Sequence, residues 1–253
     1  MFDWIKKMFD RKDETILKGA AETKYYIEKY KDFDKIIKTY YQVKDVNGKL
    51  VNVDGIVNPL KIDNRQQCSV TDNQGSTPHC AAYSICNLCE ALIWKKTGKL
   101  INLNADQVYA KAKQIDGDIG SDGTYLEAAI KAAFELGGFN GTDIKIKPVY
   151  NDGTDNTVEL VKFLLHKYDF LHAGFQITEG WYSASQRDYV IKDRGMGLGG
   201  HAVILCGYTS EGVIIQNSWG TGWGSKGFAI LPWSTFKKQF MYACYLENSF
   251  DGI

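Results

Sequence analysis

The segment that decides the fold is "NSWGTGWGSKGF", residues 217–228, which holds two tryptophans and four glycines. Glycine costs backbone entropy wherever it is used, and tryptophan is a large side chain to bury. A chain that combines them so densely has a backbone that must turn tightly beside the tryptophan rings. The segment therefore predicts that these rings shield a reacting group supplied by another part of the sequence.

The composition limits the classes of protein to consider. The 253 residues suit one large domain or two lobes, and 44% apolar residues provide for a well-packed core. Thirty basic residues balance thirty acidic ones, which argues against a nucleic-acid partner. No apolar run approaches the roughly 20 residues that span a bilayer. Charges interrupt the N-terminal stretch, so we expect no secretory signal, a cytoplasmic location and six cysteines that are mostly reduced.

The order of patterns predicts an α+β architecture. Residues 1–55 are mostly helical and amphipathic, and they form either a permanent arm that docks on the rest or a short inhibitory pro-segment of a zymogen. Residues 56–253 form the main domain, with a helical lobe at about 70–168 and a β lobe at about 170–250. Helices are predicted at about 79–96, 104–114, 124–136 and 156–168, and glycine-punctuated strands follow at 170–177, 201–209, 212–219 and 227–232.

Cys80 has the sequence context of a reactive thiol. It follows Pro78 at a predicted helix start, where unpaired N–H groups and the helix dipole favour an anion. A thiolate is the nucleophilic form of cysteine, so this position favours reactivity. Cys86 and Cys89, by contrast, lie within the helical pattern, and we interpret them as buried core residues.

A thiolate nucleophile needs a base, and His201 is the best of four histidines. It follows "GMGLGG" and begins a predicted strand, so glycines allow close approach. His79 diverges from the neighbouring cysteine, while His166 and His172 have no polar company in the sequence and are interpreted as structural or surface residues. Asn217 ends the next strand and can orient the second ring nitrogen of His201, which completes a Cys-His-Asn arrangement.

Three motifs together carry a resemblance to a known family. "DNQGSTPHCAAYS", "GGHAVILCGY" and "NSWGTGWGSKGF" occur in the order found in papain-fold (C1-type) cysteine peptidases, and the chain resembles their bacterial or viral branch over residues 56–250. The resemblance implies a helical lobe and an antiparallel, β-barrel-like lobe with an active-site cleft between them. It also implies hydrolysis of polypeptide substrates through a covalent thioester, without cofactor or metal.

The resemblance also assigns roles to single residues. Gln74, six positions before the cysteine, corresponds to the family's oxyanion-hole glutamine, and Trp219 covers the hydrogen bond between Asn217 and His201. Gly123, Thr124 and Ala202, together with Trp219, are expected to contact the substrate. An ion pair with His201 is expected to hold the pKa of Cys80 far below its free value of about 8.5.

Departures from the family pattern leave alternatives open. Thr77 replaces the cysteine that secreted members use in a bridge, and Ala81 replaces an aromatic residue after the nucleophile. A catalytically silent peptide-binding protein and a cysteine-dependent amidase or transpeptidase are the alternative functions. The acidic stretch 116–127 partly matches a calcium loop, with Gly120 and Ser121 at mismatched positions, and the preferred interpretation is that it borders the substrate cleft.

Overall fold

The computed structural model describes residues 43–44, 50–51, 58–138 and 145–247. Strands β1 (Val43–Lys44) and β2 (Leu50–Val51) pair antiparallel and belong to one compact unit, Phe9–Asn58. The described residues from Pro59 onward belong to a second unit, which contains all the candidate site residues. The predicted N-terminal helices lie outside the described residues.

Four helices follow the predicted order along the second unit. They are α1 (Cys80–Thr97), α2 (Ala105–Asp116), α3 (Leu126–Ala133) and α4 (Asp155–Tyr168). The first three pack on one another, whereas α4 contacts strands of the sheet and the short helix α5 (Trp233–Gln239). Helix α4, which was predicted as the end of the helical lobe, therefore packs on the sheet, and the predicted lobe boundary near residue 168 stays a prediction.

Capping residues explain where these helices begin and end. Helix α1 ends at Gly98, which adopts a left-handed conformation with φ of 69° and donates its N–H to the carbonyl of Trp94. Helix α2 begins after Asn104, whose side chain accepts a hydrogen bond from the N–H of Gln107. Helix α3 is shorter than predicted because a π-turn, Phe134–Gly138, replaces its last turn.

Seven antiparallel strands form one sheet in the order β4-β9-β5-β6-β7-β8, with β3 paired to β6. Their bounds are β3 (Ile62–Asp63), β4 (Lys145–Tyr150), β5 (Leu171–Thr178), β6 (Gly197–Tyr208), β7 (Gly212–Gln216), β8 (Phe228–Pro232) and β9 (Phe240–Glu247). Over the part of the chain that is described, the edge strands β4 and β8 do not pair with each other. The sheet is therefore open and not a closed barrel, and together with the helices it confirms the predicted α+β architecture.

The packing of α1 on the sheet positions the candidate site. Helix α1 is buried along most of its length and contacts β6, the strand that contains His201. In the sheet register Phe175 of β5 lies opposite His201, and Gly174 lies opposite Ala202. The start of α1 and the middle of β6 therefore meet where the two lobes join. Among the described residues, no helix combines the length and the hydropathy needed to cross a membrane.

Candidate active site

The thiol of Cys80 lies against the strand that contains the predicted base. Cys80 is the first residue of α1 and is 4% exposed. Its sulfur faces the backbone N–H of Ala202, the residue that follows His201 on β6. The structure thus brings the predicted nucleophile of the helical lobe to the strand of the predicted base, although these two residues are 121 positions apart.

Burial sets the protonation of this thiol. Desolvation raises the pKa of Cys80 above its ordinary value of 9.0, and the N–H groups of Ala202, Ala81 and Cys80 itself oppose this increase. The helix start therefore lowers the pKa as predicted, but burial outweighs it. The net direction is the reverse of the one expected from the sequence, because the packing of the two lobes removes the thiol from water.

His201 is buried and held by a side-chain hydrogen bond to Asn217. Its Nε2 lies 2.7 Å from Oδ1 of Asn217. An amide oxygen only accepts, so Nε2 carries the proton and donates, which leaves Nδ1 as the basic nitrogen. Burial lowers the pKa of His201 to about 4, and the hydrogen bond to Asn217 partly opposes this change. The ring is therefore a neutral imidazole at physiological pH.

Two tryptophan rings enclose this imidazole. The ring of Trp219 lies 4.8 Å from that of His201, centre to centre, at an angle of 31°. Trp181 contacts the same ring edge-on at 6.0 Å and was not singled out by any sequence pattern. Trp223 contacts Trp219 edge-on at 5.5 Å and donates its indole N–H to the carbonyl of Trp181. The aromatic residues of the 217–228 segment thus shield the hydrogen bond between His201 and Asn217 from water, which strengthens it.

Glycine is required where this segment folds back. Gly227 has φ of 92°, and a Cβ atom there would lie 2.2 Å from the hydroxyl oxygen of Thr71. Its carbonyl accepts the backbone N–H of Asn217 at 2.9 Å. The tight return of the loop therefore fixes the backbone of the residue that orients His201.

Comparison with known proteins gives the family. No family model matches the chain. Cathepsin K from Mus musculus is 30% identical over 207 residues, which are 68% of this chain and 59% of the relative. Papain from Carica papaya is 28% identical over 215 residues, which are 74% of this chain and 59% of the relative. The chain belongs to the papain-like C1 family of cysteine peptidases. It spans about three fifths of the length of these two curated relatives.

Solved structures agree with this papain-like fold. Xylellain, a cysteine protease from Xylella fastidiosa, superposes with a TM-score of 0.61 at 17% identity, covering 75% of this chain and 86% of that one. Digestive procathepsin L 3 from Tenebrio molitor gives a TM-score of 0.53 at 16% identity, covering 84% and 78%. The predicted bacterial or viral branch stays a prediction, since the two curated relatives named above are from mouse and papaya.

Gln74 of this papain-like site is rigidly held. Its side-chain N–H₂ group donates to the carbonyl of Thr77 at 2.8 Å, and its Oε1 accepts from the hydroxyl of Ser218 at 2.6 Å. An amide nitrogen has two hydrogens, and the bond to Thr77 uses one of them. The bond to Thr77 therefore leaves the second hydrogen of this amide unused.

The predicted substrate-contacting residues differ in what they offer. Gly123 is buried with φ of 80°, and its N–H faces the hydroxyl of Tyr109. The hydroxyl of Thr124 donates to the carboxylate of Asp116 at 2.6 Å, so its polar atom serves the loop. Ala202 is buried beside the Cys80 thiol. The contact of these residues with substrate stays a prediction.

The acidic stretch 116–127 directs its carboxylates to separate partners. The observed pairs are Asp116 with Lys113, Asp118 with Ser121, and Glu127 with Tyr242. Within the described ranges, no three His, Cys, Asp or Glu side chains are grouped as a metal site would require. The loop is thus braced by its own hydrogen bonds and one buried ion pair.

Two histidines outside the triad have partners that the sequence did not reveal. His79 turns away from Cys80, as expected, and its Nδ1 lies 2.8 Å from the carboxylate of Asp106 while its ring stacks on Tyr109. The prediction that His172 has no polar company is wrong. Its Nε2 lies 2.7 Å from the hydroxyl oxygen of Ser84, a residue 88 positions away. Only the folded contact between β5 and α1 brings these two side chains together.

Proposed function

We propose that this chain is a cysteine-type peptidase that hydrolyses peptide bonds through Cys80, His201 and Asn217. The observation that carries the proposal is the buried 2.7 Å contact between His201 and Asn217. The residue directly after His201 supplies the backbone N–H that faces the Cys80 sulfur. A nucleophile, a base and a group that orients the base are the three parts that acyl transfer requires.

The chemistry assigned to each group follows from its protonation. Nδ1 of neutral His201 accepts the thiol proton as the Cys80 sulfur attacks the peptide carbonyl. The free hydrogen of the Gln74 amide and the N–H of Cys80 donate to the oxyanion, each contributing roughly 3 to 4 kcal/mol. His201 then protonates the leaving amine, which releases one product and leaves a thioester. Water attacks the thioester and restores the thiol.

The Cys80 sulfur and Nδ1 of His201 together hold one proton over a wide pH range. Burial lowers the pKa of His201 to about 4 and raises that of Cys80 above 9.0. Between these values one proton is shared between sulfur and imidazole, and this is the form that reacts. We therefore expect kcat/KM to change little between about pH 5 and pH 9, with a fall on the acid side as His201 takes a second proton.

Product analysis tests this function most directly. The purified chain is incubated with a denatured protein, and the products are identified by mass spectrometry, with the Cys80→Ala variant as the matched control. We expect cleaved peptides from the chain and none from the variant. Full activity in Cys80→Ala would overturn the assignment, while amide hydrolysis or ligation products alone would indicate an amidase or transpeptidase. A new N-terminus near residue 55 would identify the arm as a removable pro-segment.

A further inference from the structure

A buried imidazole lies beneath the turn that carries the nucleophile. His172 is fully buried in β5, where it lies opposite Ile204 of β6 and Cys244 of β9. The reaction proposed above makes no use of it. An imidazole in the middle of a sheet that is buried among apolar side chains is costly unless its polar atoms are used. The hydrogen bonds of the His172 ring therefore indicate its role.

These contacts form a relay that ends at the nucleophile's own carbonyl group. The hydroxyl oxygen of Ser84 lies 2.7 Å from Nε2 of His172 and 2.8 Å from the carbonyl oxygen of Cys80. The Ser84 hydroxyl has one hydrogen, which it donates to the carbonyl of Cys80 and, at 3.2 Å, to that of Ala81, so it accepts from the Nε2–H of His172. The backbone of Ala81 also hydrogen-bonds to this imidazole. Among the described residues, no hydrogen-bond partner reaches Nδ1 of His172. The relay thus requires the neutral ring with its proton on Nε2.

The relay restrains a helix start that has no side-chain cap. The residue before α1, His79, makes no side-chain capping bond, so no cap side chain restrains the first turn. Ser84 binds the carbonyl of Cys80 from within the helix, and His172 binds Ser84 from the sheet. Phe175, three residues after His172 on β5, lies opposite His201 in the sheet. The same strand therefore positions the base and anchors the turn of the nucleophile.

We propose that His172 is a positioning residue, which acts through Ser84 to set the Cys80 sulfur against His201. The inference rests on the proposed function of this site. Misplacement of a reacting atom by about 1 Å can lower a rate by about 100-fold, so a relay that fixes one turn has a measurable effect on turnover. The groups that bind substrate are not part of the relay, so the effect falls on kcat and not on KM.

Three variants and one control test the relay. Ser84→Ala removes the bridging hydroxyl, His172→Phe removes the donor, and His172→Gln keeps an N–H donor near the position of Nε2. The control is His166→Gln, at an exposed position of α4. We expect kcat to fall roughly 10- to 100-fold in Ser84→Ala and His172→Phe with KM within about threefold. His172→Gln is expected to recover most of the lost kcat, and the control to match the unmodified chain.

A second readout separates failure of the relay from failure of the proposed function. The rate of Cys80 alkylation by iodoacetamide needs no peptide substrate, and we expect it to fall roughly 10-fold or more in Ser84→Ala. That result in a chain that cleaves no peptide would support the relay and overturn the function. Unchanged kcat and alkylation in folded Ser84→Ala would overturn the relay, and this small substitution carries the test if His172→Phe does not fold. Equal losses in His172→Gln and His172→Phe would also overturn it.

Discussion

Acid should destabilise this fold through His172, by an amount that its surroundings determine. Burial lowers the pKa of this imidazole from 6.5 to about 3, and a hydrogen bond to the backbone of Ala81 only partly opposes the change. The unfolded chain thus binds a proton near pH 6.5, while the folded chain does so near pH 3. The contribution to stability is therefore fully present above pH 6.5 and is lost as the pH falls toward 3.

The size of this loss of stability follows from the shift in the pKa of His172. Each pKa unit corresponds to about 1.4 kcal/mol, so the full shift corresponds to about 5 kcal/mol. Between pH 7.5 and pH 4, about 3 kcal/mol of this is lost, because the folded protein has hardly begun to protonate at pH 4. Domains are typically stable by about 5 to 15 kcal/mol, so one buried histidine removes a substantial part of the total.

Urea unfolding, followed by tryptophan fluorescence at pH 7.5 and pH 4, measures this loss. The comparison is between Cys80→Ala, which prevents self-cleavage, and the same chain with His172→Gln added. Over this pH interval, we expect the His172→Gln protein to lose about 3 kcal/mol less stability than its parent. Other buried groups, such as His201 and Glu90, are present in both proteins and cancel. His166→Gln, at an exposed position, should behave as the parent does. Equal losses in parent and His172→Gln would refute the reasoning.

Three further predictions concern the oxyanion donor, the aromatic cover and the glycine loop. Gln74→Ala should lower kcat by about 10²- to 10³-fold with little change in KM, as measured by steady-state kinetics, because it removes one oxyanion donor. Trp219→Ala should lower kcat at least about 10-fold by wetting the bond beneath it, whereas Trp219→Phe keeps a ring there; equal rates in the two variants would contradict this. Gly227→Ala should lower the free energy of unfolding by about 2 kcal/mol or more, because its φ is 92° and its Cβ would lie 2.2 Å from Thr71. Gly222→Ala, with nothing within 4 Å, is its control in urea unfolding.

Local signals in the sequence predicted much of the fold. Proline before α1 and glycine after it mark its ends, so the predicted helix at 79–96 differs from the observed one by a single residue at each end. Strands β4 and β9 were not predicted. They pair with each other across about 100 residues of sequence, so no local turn signal joins them. The π-turn that shortens α3 also depends on packing beyond the helix itself.

Sequence signals likewise predicted some features of the candidate site and missed others. Motif order along the chain predicted Cys80, His201 and Asn217 as site residues, and the structure joins the last two by a hydrogen bond. The protonation of the thiol was predicted in the wrong direction, because burial is a property of the assembled lobes and not of the helix start. The partner of His172 was missed for the same reason. The function of the N-terminal arm, which lies outside the described residues, stays a prediction.

The proposed transfer of the Cys80 thiol proton to the His201 imidazole is tested most directly by the pH dependence of Cys80 alkylation. Iodoacetamide is applied between about pH 5 and pH 8 to the unmodified chain and to His201→Ala, and peptide mass spectrometry separates Cys80 from the other five cysteines. If the imidazole accepts the thiol proton, the rate in the unmodified chain changes little over this range. In His201→Ala it should rise about 10-fold per pH unit, as for an isolated thiol. The same steep rise in both proteins would contradict the account.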